Sequence, residues 1–99
     1  MSVMQTFNPS WGSGQSLTPG AVSASVAFGA GRKSFVVTNT GSVICYVRTG
    51  KSDITASAAD YPVLAGSQVS LTKDQDHTHL AHIAASGSGA LHIIPGEGF

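Results

Sequence analysis

Ionised side chains are scarce in this chain: Asp, Glu, Lys and Arg together make up 10% of its 99 residues, against roughly a quarter in ordinary soluble domains. Five basic and five acidic residues cancel, so little electrostatic repulsion keeps free copies apart. That shortage points to a surface largely covered by neighbouring molecules, with Ser, Thr, Gly and Asn supplying uncharged polar contacts. A nucleic-acid partner is not expected, because a phosphate-binding face needs a basic excess and only Arg32 and Lys33 are adjacent cations. Cys45 is the single cysteine and cannot close an internal disulfide, which argues against an oxidised, stapled secreted scaffold. No apolar run approaches the ~18 residues of a membrane-spanning helix, and no membrane partner is expected. The opening MSVMQTF has neither the basic nor the apolar region of a signal peptide. The chain is therefore expected to be made and kept in the cytosol unless it leaves as part of an assembly.

What is present reads as β-structure. Hydrophobic residues make up 41% of the chain, enough for one small core. Residues 1–20 stand apart as an extended N-terminal arm, because Pro9, Gly12, Gly14, Pro19 and Gly20 prevent a sustained helix. Met4, Phe7 and Trp11 on this arm are candidate interface anchors, since large apolar side chains there must find pockets or stay wet. Residues 21–99 form the second unit. AVSASVAF (21–28) alternates, with Val22, Val26 and Phe28 on one face, and GAGRK (29–33) is a turn. SFVVTN (34–39) and VICYVR (43–48) read as a hairpin across Thr40-Gly41-Ser42. YPVLAG (61–66), SQVSLTK (67–73), HLAHIAA (79–85) and GALHIIP (89–95) read as further strands, with Pro62 confining its strand to an edge. Strands recurring every 8–12 residues predict an all-β, antiparallel β-sandwich of jelly-roll type.

Candidate chemistry is thin. His77, His79 and His82 cluster beside Asp74 and Asp76, and His92 is placed to join them from a neighbouring strand. An HxH pair without a convincing set of four converging ligands does not make a structural zinc site, so no metal is expected. The cluster reads as a polar rim or subunit contact, open to pH because histidine titrates near neutrality. GAGRKS (29–34) lacks the glycine before the lysine of a phosphate loop and the third glycine of a dinucleotide fingerprint. SGSG (86–89) has Ser86 where a nucleophile elbow needs glycine. Cys45, flanked by Ile44 and Tyr46, reads as a buried inert thiol. Asp53, Asp60, Asp74, Asp76 and Glu97 all fall in turns or tails, so no acid–base carboxylate pair stands out. Neither catalytic residues nor a cofactor are expected.

Three phrases, FVVTNTGSVICYVRTG (35–50), ADYPVLAGSQVSL (59–71) and THLAHIAASGSGALHIIPGEGF (78–99), resemble small structural proteins of tailed bacteriophages. The resemblance spans residues 35–99 and carries no catalytic signature. It implies a capsid decoration or cement protein that binds the major capsid protein on the outside of the shell as a symmetric homo-oligomer, for instance a trimer. Its place would be the virion, assembled in the host cytoplasm. A head–tail junction or tail-fibre adaptor is the nearest alternative. A carbohydrate-binding β-sandwich using Trp11, Tyr46 and Tyr61 is another, and a small metal-dependent enzyme using the histidines is the last.

Overall fold

From Phe35 to Asn39 and from Cys45 to Val47 the buried side chains fall at every second residue, the signature of strands with one face in a core. The computed structural model describes residues 8–28, 33–74 and 76–97, and these contain no helix. Their strands are β1 (Asn8–Pro9), β2 (Gln15–Leu17), β3 (Ala24–Ala27), β4 (Ser34–Asn39), β5 (Cys45–Gly50), β6 (Tyr61–Val63), β7 (Gln68–Thr72), β8 (His79–Ala84) and β9 (Leu91–Glu97). They form two antiparallel sheets. The first runs β2-β9-β4-β7, with β1 continuing along the β2 side of β9, and the second runs β3-β8-β5-β6. From β2 to β9 the chain changes sheet at every connection except β5 to β6. That connectivity is the eight-stranded jelly roll, and the expected antiparallel sandwich is the fold.

Two expectations need correction. SFVVTN and VICYVR are strands, but β4 pairs with β7 and β9 while β5 pairs with β6 and β8, so residues 40–42 cross between sheets instead of turning a hairpin. The buried Asn39 explains the crossing. Its Nδ2 donates to the carbonyls of Val43 (2.8 Å) and Val63 (2.9 Å), and its Oδ1 accepts from the Gly41 N–H at 3.0 Å. One side chain thus holds the end of β4, the crossing loop and β6 together. Val22 precedes β3 and is exposed, whereas Val26 and Phe28 face the core as expected. The expected turn at 29–33 falls mostly on residues 29–32, outside the described residues. Pro62 does lie on an edge strand.

Residues 8–20, read from sequence as part of an arm, contribute β1 and β2 to the first sheet; Leu17 packs on the core and Pro19 is fully buried. The core joins Phe28, Phe35, Val37, Cys45, Val47, Val63, Leu80, Ala84, Leu91 and Ile93 from both sheets. At one end Phe28 and Phe35 meet edge to face, with centroids 5.3 Å apart. Lys73 lies over the Phe28 ring and donates to the His77 carbonyl at 2.8 Å, which ties down the turn after β7. The long connection from β5 to β6 lies against the outside of the second sheet. Its Ala56 N–H donates to Ser23 Oγ at 2.7 Å, and Ala81, which points outward on β8, is fully buried.

Candidate interaction surfaces

The outer face of the first sheet is uncharged. By strand alternation it presents Ser16 from β2, His92 and Ile94 from β9, Val36 and Thr38 from β4, and Gln68, Ser70 and Thr72 from β7. One row across the sheet is Ser16, His92, Thr38 and Gln68. Gln68 Nε2 donates to Thr38 Oγ1 at 2.8 Å, and Ser16 Oγ lies 3.5 Å from His92 Nδ1. Gly14 makes room for the imidazole, since a β-carbon there would sit 2.6 Å from His92 Nε2. Among the described residues this face carries no Asp, Glu, Lys or Arg. The described ionised side chains lie elsewhere: Lys33 just before β4, Arg48 on β5, Lys51, Asp53 and Asp60 in the loop beside the second sheet, Lys73, Asp74 and Asp76 after β7, and Glu97 at the end of β9, where alternation turns it from this face. The alternation that exposes this face is present in the sequence, but which sheet each strand joins is not, so the face was not visible there.

Trp11 sits at the rim of this sheet. Ser10 through Ser13 form a turn closed by the Ser13 N–H on the Ser10 carbonyl (3.0 Å), while the Ser10 N–H donates to Pro95 at 2.8 Å. Gly12 has φ +83°, the backbone a type II turn requires at its third position. Trp11 therefore projects from the second position and is 82% exposed. Met4 and Phe7, the other expected anchors, lie outside the described residues. Tyr46 and Tyr61 belong to the second sheet, so the three aromatic rings named for sugar binding, Trp11 among them, do not share one face.

The structure disperses the histidines. His82 points into the core, where burial pushes its pKa below the ordinary 6.5 and its Nδ1 has no hydrogen-bond partner. His92, expected beside them, is on the outer face of the other sheet. His79 pairs locally, its Nδ1 2.8 Å from Thr78 Oγ1. Only His77 stays with the aspartates: its ring, Asp74 and Asp76 bring ligand-type atoms within 4.8 Å of one another. Protein groups already partner this triad. Thr49 Oγ1 lies 2.9 Å from His77 Nδ1, and Lys51 Nζ lies 3.7 Å from Asp76. Cys45 is fully buried, with its thiol pKa raised by burial. An open depression lies between the Trp11 turn and the end of β3, lined by Gly12, Ser13, Gly14, Gln15, Ala27 and Phe28. Comparison of the chain with protein-family models, curated proteins and solved structures finds no match.

Proposed function

We propose that this chain is a structural protein of a virus particle, a capsid decoration or cement protein that binds the major capsid protein and stabilises the shell by adding buried surface. The observation that carries the reading is the uncharged outer face of the first sheet with exposed Trp11 at its rim. A hydroxyl- and amide-bearing face loses little on desolvation if its partner supplies matching donors and acceptors, whereas a charged face pays heavily. An exposed indole is the side chain that most often anchors such a contact. The jelly roll suits this role, being common in viral capsid proteins, but it also carries lectins and enzymes and is support by analogy only. Docking through the first sheet leaves the charged loops of the second sheet toward solvent.

The test is binding to shells of the phage that encodes the chain. Thr38→Glu and Trp11→Ala are expected to weaken shell binding at least about tenfold, roughly 1.4 kcal/mol, with no loss of fold. Arg48→Glu on the second sheet should bind as wild type. Equal binding by all three variants removes the first sheet as the docking face. No binding by wild type removes the reading itself.

A further inference from the structure

We propose that β7 is a self-association edge, pairing antiparallel with β7 of a second copy to make one continuous sheet from two first sheets. Antiparallel strands point the N–H and C=O of alternate residues to opposite sides. The Lys73 N–H donates to Lys33 and the Asn39 N–H to the Ser67 carbonyl, both at 2.8 Å, so Ser67, Val69, Leu71 and Lys73 face β4. Gln68, Ser70 and Thr72 therefore direct their backbone groups away from the sheet, and among the described residues nothing pairs with them.

The other three edges are blunted. In β6, Tyr61 and Val63 face β5, because the Ala85 N–H to Ile44 carbonyl bond (2.8 Å) assigns the even residues of β5 to β8. The free side of β6 thus belongs to Pro62, which has no N–H. On β3 the outward carbonyl of Ala27 already accepts from Gln15 Nε2 at 2.7 Å. The edge made by β1 and β2 is broken by the Trp11 turn and carries Pro9.

β7 is also self-complementary. A two-fold axis through Ser70 sets Ser70 opposite Ser70, Gln68 opposite Thr72, and Val69 opposite Leu71, so each residue meets a compatible partner. Each pair among Gln68, Ser70 and Thr72 exchanges two backbone hydrogen bonds. Val69 and Leu71 pack on the core but are only half-buried, and the second copy covers them. No charge on the strand opposes the approach. The pairing closes at two, which makes the oligomer a dimer and not a trimer, and it doubles the uncharged face without needing any particle partner.

Sedimentation equilibrium of the purified chain tests it. Wild type is expected to be a dimer. Ser70→Pro removes an outward N–H and none that faces β4, so it is expected to be a folded monomer. Ser70→Lys sets two ammonium groups across the axis; it should raise the dissociation constant at least about tenfold at low salt and recover with added salt. Circular dichroism checks that each variant folds, and Ser70→Lys decides if Ser70→Pro does not. A monomeric or trimeric wild type overturns the proposal, as does a dimer that Ser70→Lys leaves intact. Shell binding enters none of these measurements, so the docking reading stands or falls separately.

Discussion

A β-carbon added at Gly89 would sit 2.5 Å from Cys45 Sγ, inside a contact that no side chain tolerates. The thiol is fully buried and short, so it has little freedom to move aside. Gly89→Ala is therefore expected to cost about 1–3 kcal/mol by overpacking. Cys45→Ala in the same chain should restore part of the loss, making the two changes non-additive in urea unfolding; strictly additive losses would show that the contact is not the cause. His82 is the residue that should couple stability to pH. Burial lowers its folded pKa below 6.5, so the unfolded chain takes up the proton first. Its contribution is complete above pH 6.5, is lost as pH falls through that value, and levels off below the depressed folded pKa. His82→Leu keeps the apolar volume and deletes the titration, so its stability should stay flatter between neutral and mildly acid pH. Parallel curves for wild type and variant would remove His82 as the source.

Asn39 shows the same economy at the level of elements. Its amide orientation is fixed by two carbonyls at Nδ2 and one N–H at Oδ1, and its main chain takes a further bond from the Gly66 N–H at 3.0 Å. Asn39→Ala removes the buried bond to the Val63 carbonyl and leaves the half-buried Val43 carbonyl and Gly41 N–H without that partner, and should cost about 2–4 kcal/mol in urea unfolding. Asn39→Asp should cost more and worsen as pH rises, because a carboxylate then faces two carbonyls. A neutral Asn39→Ala would mean that the crossing holds itself. The turn after β7 is held by protein groups, the Lys73 ammonium on the His77 carbonyl and Thr49 on the His77 ring, so chelation should leave the melting temperature unchanged; a drop would assign Asp74, Asp76 and His77 to a metal. These two elements mark what the sequence discloses and what it hides. The β-branched and aromatic runs at 34–39 and 43–48, and strands recurring every 8–12 residues between turn residues, made the strands and the sandwich legible, because runs and turn residues are local patterns. The partner of each strand was not, since Thr40-Gly41-Ser42 looks like a hairpin turn and only the long-range bonds of Asn39 make it a crossing. The same gap separated His92 from the other histidines and concealed the uncharged face, which exists only once β2, β9, β4 and β7 lie side by side. Trp11 was legible as a large apolar side chain on a segment that cannot bury it alone, but the pairing of its flanking strands with β9 was not.

For the whole molecule the distribution of charge matters more than its sum. The net charge is zero, yet the described ionised groups avoid the outer face of the first sheet: they sit on loops, on the second sheet and, as Glu97, at the end of β9, where strand alternation turns the side chain to the other face. Screening acts on charges and leaves uncharged hydrogen bonds and apolar burial largely unaffected: the Debye length falls from about 10 Å at 0.1 M salt to about 3 Å at 1 M. A molecule that docks through the first sheet should bind its shell with an affinity that changes less than about twofold over that range, since no ion pair forms or breaks. A molecule that docks through the second sheet would bring Arg48, Lys51, Asp53 and Asp60 into the contact, and its affinity would fall steeply with salt. Strongly structure-making salts such as sulfate act the other way, strengthening apolar burial around Trp11, so sodium chloride is the salt to use. Binding isotherms on shells at low and high sodium chloride thus read the orientation of the jelly roll directly: a flat response keeps the first sheet as the docking face, and a steep loss turns the molecule over.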